Sequence, residues 1–320
     1  MTASALWCIA PDQAEIRPGA IGEGVLVDAL FSGISRGTER LVAAGRVPAS
    51  EYARMRGPGM EGDFPFPVKY GYCGVGVVEQ GSADLLGQTV FCLHPHQDRF
   101  LAPAAMAVPV PENVPPRRAI LGANMETALN AMWDSGAGPA DRIVVVGAGI
   151  LGLLIARLCA ALPGAEVTLV DVARERADVA ARLGAGFATP EQCPVEADLV
   201  FHTSASAAGL QTALAAAGQE ARIVELSWYG DKVVPVVLGG AFHSRRLTLV
   251  ASQVGHVSPS RRPRWSYRRR MAAALELLAD PVFDALLGED LPFEDAPKRL
   301  PDLLRQSGSG LPPVISYPAV

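Results

Sequence analysis

Short apolar runs alternate with helical patterns of apolar residues between residues 143 and 252. The runs are rich in β-branched residues and of strand length, and they lie at 143–146, 167–170, 197–202, 222–226 and 247–252. Between them, apolar positions recur with helical spacing, for example over 210–217. Strands that are joined by helices run parallel to one another. The pattern therefore predicts an α/β domain built on a doubly wound parallel sheet.

The flanking regions predict strands with few helices between them. Strand patterns lie at 25–31, 68–79 and 87–92, and the second interleaves glycines with β-branched residues, as a bent strand does. Residues 46–67 are rich in Pro, Gly and Met without a lasting period, which is typical of an ordered surface excursion or a lid. The tail at 311–318 predicts a strand that returns to this region. We therefore expect a largely β domain that is discontinuous in sequence.

The first strand of the parallel sheet runs directly into the glycine-rich turn GAGILG and then into a helix. Gly147 permits the tight turn, Gly149 lets a diphosphate approach the backbone, and Gly152 lets the helix pack closely on the strand. The phosphates would lie at the helix N-terminus, whose unpaired N–H groups and dipole favour negative charge. The predicted cofactor-binding segment is Gly147, Gly149, Ile150, Leu151 and Gly152.

The second strand of this sheet ends in an acid. Asp171 lies 19 residues after Gly152, close to the position where a carboxylate accepts hydrogen bonds from a ribose diol and repels a 2′-phosphate. This favours NAD over NADP. Arg174 and Arg176 just downstream leave NADP open.

Composition limits the classes of partner. The chain has 320 residues, 49% of them hydrophobic, and a formal net charge of −5, so it predicts about two domains and no general attraction to nucleic acid or to an anionic membrane. The N-terminus shows no secretory signal pattern, and the apolar stretch at 143–156 is too short to cross a bilayer. We therefore expect a cytoplasmic protein. Its five cysteines are scattered without CxxC spacing, so they predict neither a disulfide framework nor a zinc knuckle.

The strand at 25–31 leads into a loop that concentrates hydroxyl, guanidinium and carboxylate groups. These groups belong to Ser35, Arg36, Thr38 and Glu39. Two interpretations stay open: a helix entry capped by Ser35 or Thr38, or a loop of site residues after a strand. His94 and His96 point to opposite faces of an extended segment, so they are poor joint ligands for one metal. His94 alone is a candidate acid or base.

Further candidates follow the strands of the parallel sheet, because the carboxyl ends of such strands face the ligand. Ser204 is a candidate for the cofactor loop, whereas we expect His202 to be a packed strand histidine. Trp228 and Tyr229 follow the next strand and could form a wall beside the nicotinamide or the substrate.

Six arginines lie within the ten residues 261–270. One interpretation is a solvated helix start with surface ion pairs. The other is capture of a carboxylate or phosphate of the substrate by Arg261 and Arg264, because the guanidinium fork suits such anions. Trp265 and Tyr267 between them would suit a flat, partly apolar molecule.

The order of these motifs resembles the medium-chain dehydrogenase/reductase superfamily, the alcohol dehydrogenase-like proteins, over nearly the whole chain. The resemblance is carried by SGISRGTE, PVKYGYCGVGVV, GQTVF, PENVPPRRAILGANMETALNA and GAGILG. Within the superfamily, SGISRGTERL resembles the branch that includes bacteriochlorophyllide dehydrogenases. The resemblance implies a GroES-like catalytic domain at 1–115, a Rossmann domain at 116–257 and a return to the catalytic domain at 258–320.

The chain departs from the superfamily where zinc-dependent members hold their metal. The positions of the three zinc ligands are taken by Ser35, Tyr72 and Ala123, and the four cysteines of the structural zinc lobe are missing after Cys92. Ser, Tyr and Ala supply no thiolate, imidazole or carboxylate, so a zinc-free member is expected. A relocated metal site that uses Cys73, His94 or Glu126 is the alternative.

Without a metal, the reacting oxygen needs hydrogen-bond donors. The resemblance places the Tyr72 phenol near the nicotinamide, although the ring could equally fill the vacated zinc cavity. It also implies that Thr127 lines the nicotinamide pocket and that the protein is a homodimer, whereas Glu126 could be only a first-turn acid. The main expectation is NAD(P)-dependent hydride transfer to or from an alcohol or carbonyl of a small molecule. The alternatives are a quinone or enoyl reductase and a non-catalytic dinucleotide-binding protein.

Overall fold

The computed structural model describes residues 3–20, 22–305 and 311–318. The chain divides into two compact units, one formed by Met1–Ala123 with Met271–Val320 and the other by Asn124–Arg270. The division at 123/124 and 270/271 lies C-terminal to the boundaries at 115/116 and 257/258 that the resemblance implies. Within the described ranges, no helix combines the length and apolar character that crossing a bilayer requires.

The strands are numbered in chain order. They are β1 (Ala3–Ala10), β2 (Gln13–Gly19), β3 (Val25–Gly33), β4 (Glu61–Gly62), β5 (Val68–Lys69), β6 (Gly74–Gln80), β7 (Thr89–Cys92), β8 (Arg99–Ala102), β9 (Val108–Pro109), β10 (Arg142–Val146), β11 (Glu166–Val170), β12 (Gly186–Ala188), β13 (Ala197–His202), β14 (Ala217–Glu225), β15 (Thr248–Ala251), β16 (Asp290–Pro292) and β17 (Val314–Ser316).

The α-helices are numbered in the same way. They are α1 (Arg36–Ala43), α2 (Pro116–Ala119), α3 (Gly122–Ser135), α4 (Ile150–Ala160), α5 (Ala177–Arg182), α6 (Ala207–Ala216), α7 (Ala241–Ser244), α8 (Tyr267–Leu277) and α9 (Ala296–Arg305).

The first unit is largely β-structure. It contains a four-stranded sheet in the order β2-β1-β5-β4 and a seven-stranded sheet in the order β16-β17-β3-β6-β7-β9, in which β8 also pairs with β3. The C-terminal strand β17 pairs antiparallel with β3, so the tail lies in the same sheet as the N-terminal segment. The Tyr317 hydroxyl lies 2.9 Å from Ser32 Oγ, and Arg118 makes an ion pair of 2.7 Å with Asp284. These bonds tie the two sequence segments of the unit together.

One predicted strand of this unit is in fact two. The pattern at 68–79 predicted a single bent strand, but β5 and β6 belong to different sheets. The chain leaves β5 through Gly71, whose φ of +133° is a conformation that glycine adopts readily. An added Cβ there would lie 3.1 Å from the ring of His96. The close approach explains the break, and the break places Tyr72 in a loop.

The second unit is the predicted doubly wound sheet. Its six parallel strands lie in the order β12-β11-β10-β13-β14-β15, and their valine, alanine and isoleucine side chains pack with residues of α6 in one hydrophobic core. The order reverses between β10 and β13, which makes the loops after these two strands the topological switch point where ligands bind in open α/β sheets. The two loops are the glycine turn and residues 203–206.

Candidate functional site

The glycine turn connects β10 to α4. Gly147 has a φ of +110°, and an added Cβ would lie 2.7 Å from Thr203 Oγ1 and 2.8 Å from the Ser204 nitrogen. An added Cβ on Gly152 would lie 1.9 Å from the Gly147 carbonyl oxygen. Both positions are therefore restricted to glycine by the protein itself.

Gly149 differs from its two neighbours. It precedes α4 with an ordinary φ of −72°, and an added Cβ would meet no atom within 4 Å. The residue is exposed. Neither backbone strain nor packing explains glycine here, so the space in front of it is open to a ligand. That space lies at the N-terminus of an 11-residue helix, where a diphosphate finds peptide N–H groups and a favourable dipole.

Asp171 follows β11 and is tied to the glycine turn. One carboxylate oxygen accepts a hydrogen bond of 2.6 Å from the Ala148 backbone N–H, and the other accepts one of 2.8 Å from Ala173. Burial lowers the pKa of Arg176, and the charge of Asp171 opposes this shift. The acid is thus fixed beside the turn, where a nucleotide ribose would meet it.

A buried hydrogen-bond network crosses the ends of β13 and β14. His202 is fully buried, with Nδ1 at 2.7 Å from Glu225 Oε2 and Nε2 at 2.7 Å from Ser204 Oγ. The Tyr229 hydroxyl donates to the same Glu225 oxygen at 3.0 Å. His202 is thus buried in its strand as predicted. Its partners could not be predicted from the sequence, because Glu225 lies 23 residues away on the neighbouring strand.

The Tyr72 phenol lies in the first unit and is bound by the loop at 32–40. Its hydroxyl donates a hydrogen bond to Ser35 Oγ, and Thr38 also hydrogen-bonds to it. Burial raises the pKa of Tyr72 well above its usual value, and these hydrogen bonds only partly oppose the shift. Tyr72 is therefore a neutral phenol that can donate a hydrogen bond. The three sequence candidates Ser35, Thr38 and Tyr72 lie together.

The buried side chains of Glu39 and His96 hydrogen-bond to the loop at 32–40. Glu39 accepts a hydrogen bond of 2.7 Å from the Ser35 backbone N–H, and its other oxygen lies 3.0 Å from His96 Nε2. His96 Nδ1 lies 2.7 Å from Ser32 Oγ. Both side chains are nearly inaccessible to solvent. Ser35 is the N-cap residue of α1, but its side chain makes no capping bond, and Glu39 instead bonds the backbone N–H of Ser35 itself.

His94 occupies a different environment from His96. Its ring stacks on Phe100 with centroids 3.8 Å apart, and Nδ1 lies 3.0 Å from the Pro95 carbonyl oxygen. Burial lowers the pKa of His94 to about 3, so its ring is neutral at ordinary pH. The sequence singled out His94, whereas His96 is the histidine that contacts the loop at 32–40.

The arginine-rich segment has one buried member. Arg270 is 2% exposed and donates to Glu126 at 3.0 Å and to Asn130 at 2.7 Å. It also donates to the backbone carbonyls of Val254 and His256. Burial raises the pKa of Glu126 while the charge of Arg270 lowers it. This pair fixes the segment after β15 to α3. The interpretation of Glu126 as a first-turn acid is wrong, because α3 begins at Gly122 and its first turn contains no acid.

The remaining candidates are placed as follows. Arg261 lies over the Trp133 ring at 5.7 Å, and Trp133 contacts Trp265, on which Arg269 stacks at 4.1 Å. Arg264 is exposed, and its backbone carbonyl accepts a hydrogen bond from Arg269. Three other candidates are partly buried, namely Arg36 at the start of α1, Thr127 in α3 and Trp228 after β14. Across the described ranges, no group of three His, Cys, Asp or Glu side chains is arranged to hold a metal ion.

No protein-family model matches this chain, and no curated protein matches it. Solved structures do. L-idonate 5-dehydrogenase of Escherichia coli superposes with a TM-score of 0.79 at 15% identity, over 99% of each chain. A short chain alcohol dehydrogenase of E. coli CFT073, complexed with NADH, gives a TM-score of 0.78 at 16% identity, over 99% of each chain. The alcohol dehydrogenase of Thermus sp. ATN1 gives 0.75 at 20% identity, over 98% of this chain and 100% of that one.

These similarities establish the fold. The chain has the alcohol dehydrogenase-like architecture, which consists of a discontinuous GroES-like domain and a Rossmann domain. The fold class predicted from the sequence is confirmed.

Proposed function

We propose that this protein is an NAD-dependent oxidoreductase that transfers a hydride to or from an alcohol or carbonyl group of a small molecule. The observation that carries the proposal is the open position of Gly149 at the N-terminus of α4. Glycine is one of several residues that suit this N-cap position, and it is the one that leaves the backbone fully open to a ligand. A structure of the same fold was solved with NADH, which supports a nicotinamide nucleotide as that ligand.

The preference for NAD over NADP rests on Asp171. Each of its oxygens accepts one backbone hydrogen bond and retains a lone pair for a ribose hydroxyl. A 2′-phosphate would meet the negative charge of the carboxylate. Arg176 interacts with Asp171 itself, so part of the positive charge of Arg176 is already compensated.

We further propose that the reaction needs no zinc. The positions that hold zinc in the resembling family carry Ser35, Tyr72 and Ala123, and the first two are hydrogen-bonded to each other. Cys73 is no substitute, because burial raises the pKa of its thiol well above the usual value and so disfavours the thiolate that binds metal. This set of side chains does not fit a zinc ion.

The bound nicotinamide supplies or accepts the hydride, and the chain must then hold the reacting oxygen. Tyr72 suits this role, since the single O–H hydrogen of its neutral phenol, which Ser35 Oγ accepts here, would turn to the reacting oxygen when the substrate is bound. Glu39 and His96 keep the loop in place through the Ser35 backbone. His94 stays a candidate acid or base from the sequence alone.

The substrate is proposed to carry a negative charge, which Arg261 and Arg264 would bind. Arg261 is held in place by the Trp133 ring, and a guanidinium fixed in this way loses less entropy when it binds an anion. We expect the double variant Arg261→Gln with Arg264→Gln to raise the KM for the substrate while NAD affinity stays the same. Steady-state kinetics would test this, and an unchanged KM would remove the arginines from the substrate site.

Two finer proposals follow from the same resemblance. A homodimer would form through β15, the edge strand of the parallel sheet, where Leu249 is 37% exposed. Light scattering on the purified protein would test it, and a monomer at micromolar concentration would contradict it. The similarity of the loop SGISRGTERL to the bacteriochlorophyllide dehydrogenase branch stays a prediction.

Calorimetric titration with NAD and NADP tests the cofactor proposal. Saturable binding of NAD, tighter than that of NADP, is expected, and absence of binding by both nucleotides would overturn the proposal. A panel of alcohols, quinones and enoyl compounds then separates the alternatives. Turnover of the unsaturated compounds alone would indicate a quinone or enoyl reductase, and binding without any turnover would indicate a non-catalytic protein.

A further inference from the structure

The network around His202 joins the loop at 203–206, which borders the glycine turn, to the end of β14. The loop at 203–206 contacts the turn through Thr203 Oγ1, which donates to the Gly147 carbonyl oxygen at 3.0 Å. An added Cβ on Gly147 would lie 2.8 Å from the Ser204 nitrogen. Ser204 therefore lies next to the backbone on which, according to the proposed function, the diphosphate binds.

Glu225 is the fixed negative end of the network. Burial opposes its ionisation, but hydrogen bonds from His202 and Ser227 lower its pKa. The Ser227 backbone N–H donates to it at 2.7 Å and the Tyr229 hydroxyl at 3.0 Å. An ionised Glu225 accepts the hydrogen of His202 Nδ1, so this nitrogen is a donor. The ring can therefore differ only in whether Nε2 carries a hydrogen.

The two states of Nε2 orient the Ser204 hydroxyl in opposite ways. When Nε2 is unprotonated, it accepts the Ser204 hydrogen over 2.7 Å, and Ser206 donates to Ser204 over 3.0 Å. When Nε2 is protonated, it donates to Ser204 Oγ. The hydroxyl hydrogen of Ser204 is then released from the ring and can point to another acceptor.

We infer that His202 is a positioning residue that takes up a proton when the nucleotide binds, and that this turns Ser204 into a donor toward an anionic oxygen of the cofactor. One proton passes from solvent to Nε2, and no covalent bond of the nucleotide changes. A hydroxyl that donates to an anion forms a stronger hydrogen bond than one between neutral groups, and a bound diphosphate favours a positive charge nearby.

The neighbours of His202 come from β10, β14, α6 and the loop after β14. Across the parallel pairings it faces Val146 on β10 and Glu225 on β14. From α6 it meets Gly209, where an added Cβ would lie 2.9 Å from Nε2. The remaining titratable neighbour is Tyr229, whose pKa is raised by burial and by Glu225, so its phenol stays neutral. Glu225 is already ionised for the reasons given above.

The test is calorimetric titration of the full chain with NAD near neutral pH, in two buffers with different ionisation enthalpies. We expect the observed heat to differ between the buffers by an amount that corresponds to net proton uptake of up to one per site. We also expect affinity to rise as the pH falls, by at most about tenfold per pH unit, because one proton is linked to binding. A structural role alone would not produce either effect.

Three variants test whether His202 is the residue that takes up the proton. His202→Gln and Ser204→Ala should still bind NAD but lose the proton uptake, whereas His243→Gln, which changes an exposed histidine in α7, should keep it. Melting curves check that each variant is folded, and Ser204→Ala gives the answer if the buried His202 position does not tolerate glutamine. Binding of NAD without proton uptake, or uptake that persists in Ser204→Ala or in folded His202→Gln, would overturn this inference alone. Absence of nucleotide binding by the wild-type protein would overturn the proposed function and this inference with it.

Discussion

Replacing Gly149 and Gly147 separately by alanine distinguishes ligand binding from folding within one turn. The Cβ of alanine at 149 meets no atom within 4 Å, and the φ of −72° suits any residue. At 147 the φ is +110°, and the new Cβ would lie 2.7 Å from Thr203 Oγ1. The first substitution should therefore affect the cofactor and the second should affect the fold.

The expected magnitudes follow from this geometry. A non-glycine residue held at such a φ costs about 1–3 kcal/mol, and the clash with Thr203 adds to it, so Gly147→Ala should lower Tm by several degrees. Gly149→Ala should change stability by less than about 1 kcal/mol, because alanine reduces unfolded-chain entropy but is a poorer N-cap residue than glycine. If its methyl group prevents even one charge-assisted hydrogen bond of about 1.5–3 kcal/mol, NAD should bind about tenfold to a hundredfold more weakly.

The assay pairs a melting curve without nucleotide with a calorimetric titration of NAD for each variant. Wild-type Tm with weakened NAD binding is the expected result for Gly149→Ala. If Gly149→Ala bound NAD as tightly as the wild type, the open space in front of this glycine would not be the phosphate site. If both variants lost stability equally, the steric distinction between the two positions would be refuted.

Three further predictions concern other parts of the structure. Asp171→Asn should weaken NAD binding and strengthen NADP binding, each by about tenfold, because a charged acceptor and a like-charge repulsion are both removed; titrations with the two nucleotides would check this, and an unchanged ratio would count against Asp171. Tyr72→Phe should lower kcat by about a hundredfold or more, as loss of a single oxyanion donor does, with NAD affinity unchanged; an unchanged kcat would show that the ring only fills space. Arg270→Met should destabilise the protein by about 3–5 kcal/mol, because Glu126 is left buried without its partner; a wild-type unfolding midpoint in urea would contradict this.

The local part of the fold could be predicted from the sequence. The β-branched run before Gly147 forms β10, the helix follows directly as α4, and Asp171 comes straight after β11. Each of these elements is determined by residues that are close in sequence, because the patterns that predict a strand, a glycine turn and a helix extend over only a short stretch of the chain. The density of polar side chains in the loop at 32–40 leaves a capped helix entry and a loop of site residues open, and in the structure this loop hydrogen-bonds to Tyr72.

The paired charges could not be predicted in the same way. Glu39 and His96 are 57 residues apart, and Glu126 and Arg270 are 144 apart. No periodicity links such positions, since their contacts exist only after the sheets and helices have packed. The break between β5 and β6 depends likewise on the closeness of Gly71 to His96, which the regular alternation of glycine and valine does not show.

The most direct test of the account is turnover by protein from which metal has been removed. The initial rate of NADH formation would be followed over a panel of alcohols, after treatment with a chelator and elemental analysis of the sample. The account predicts oxidation of at least one alcohol at a rate that added zinc does not increase. Turnover that disappears with the chelator and returns with one zinc per chain would contradict it.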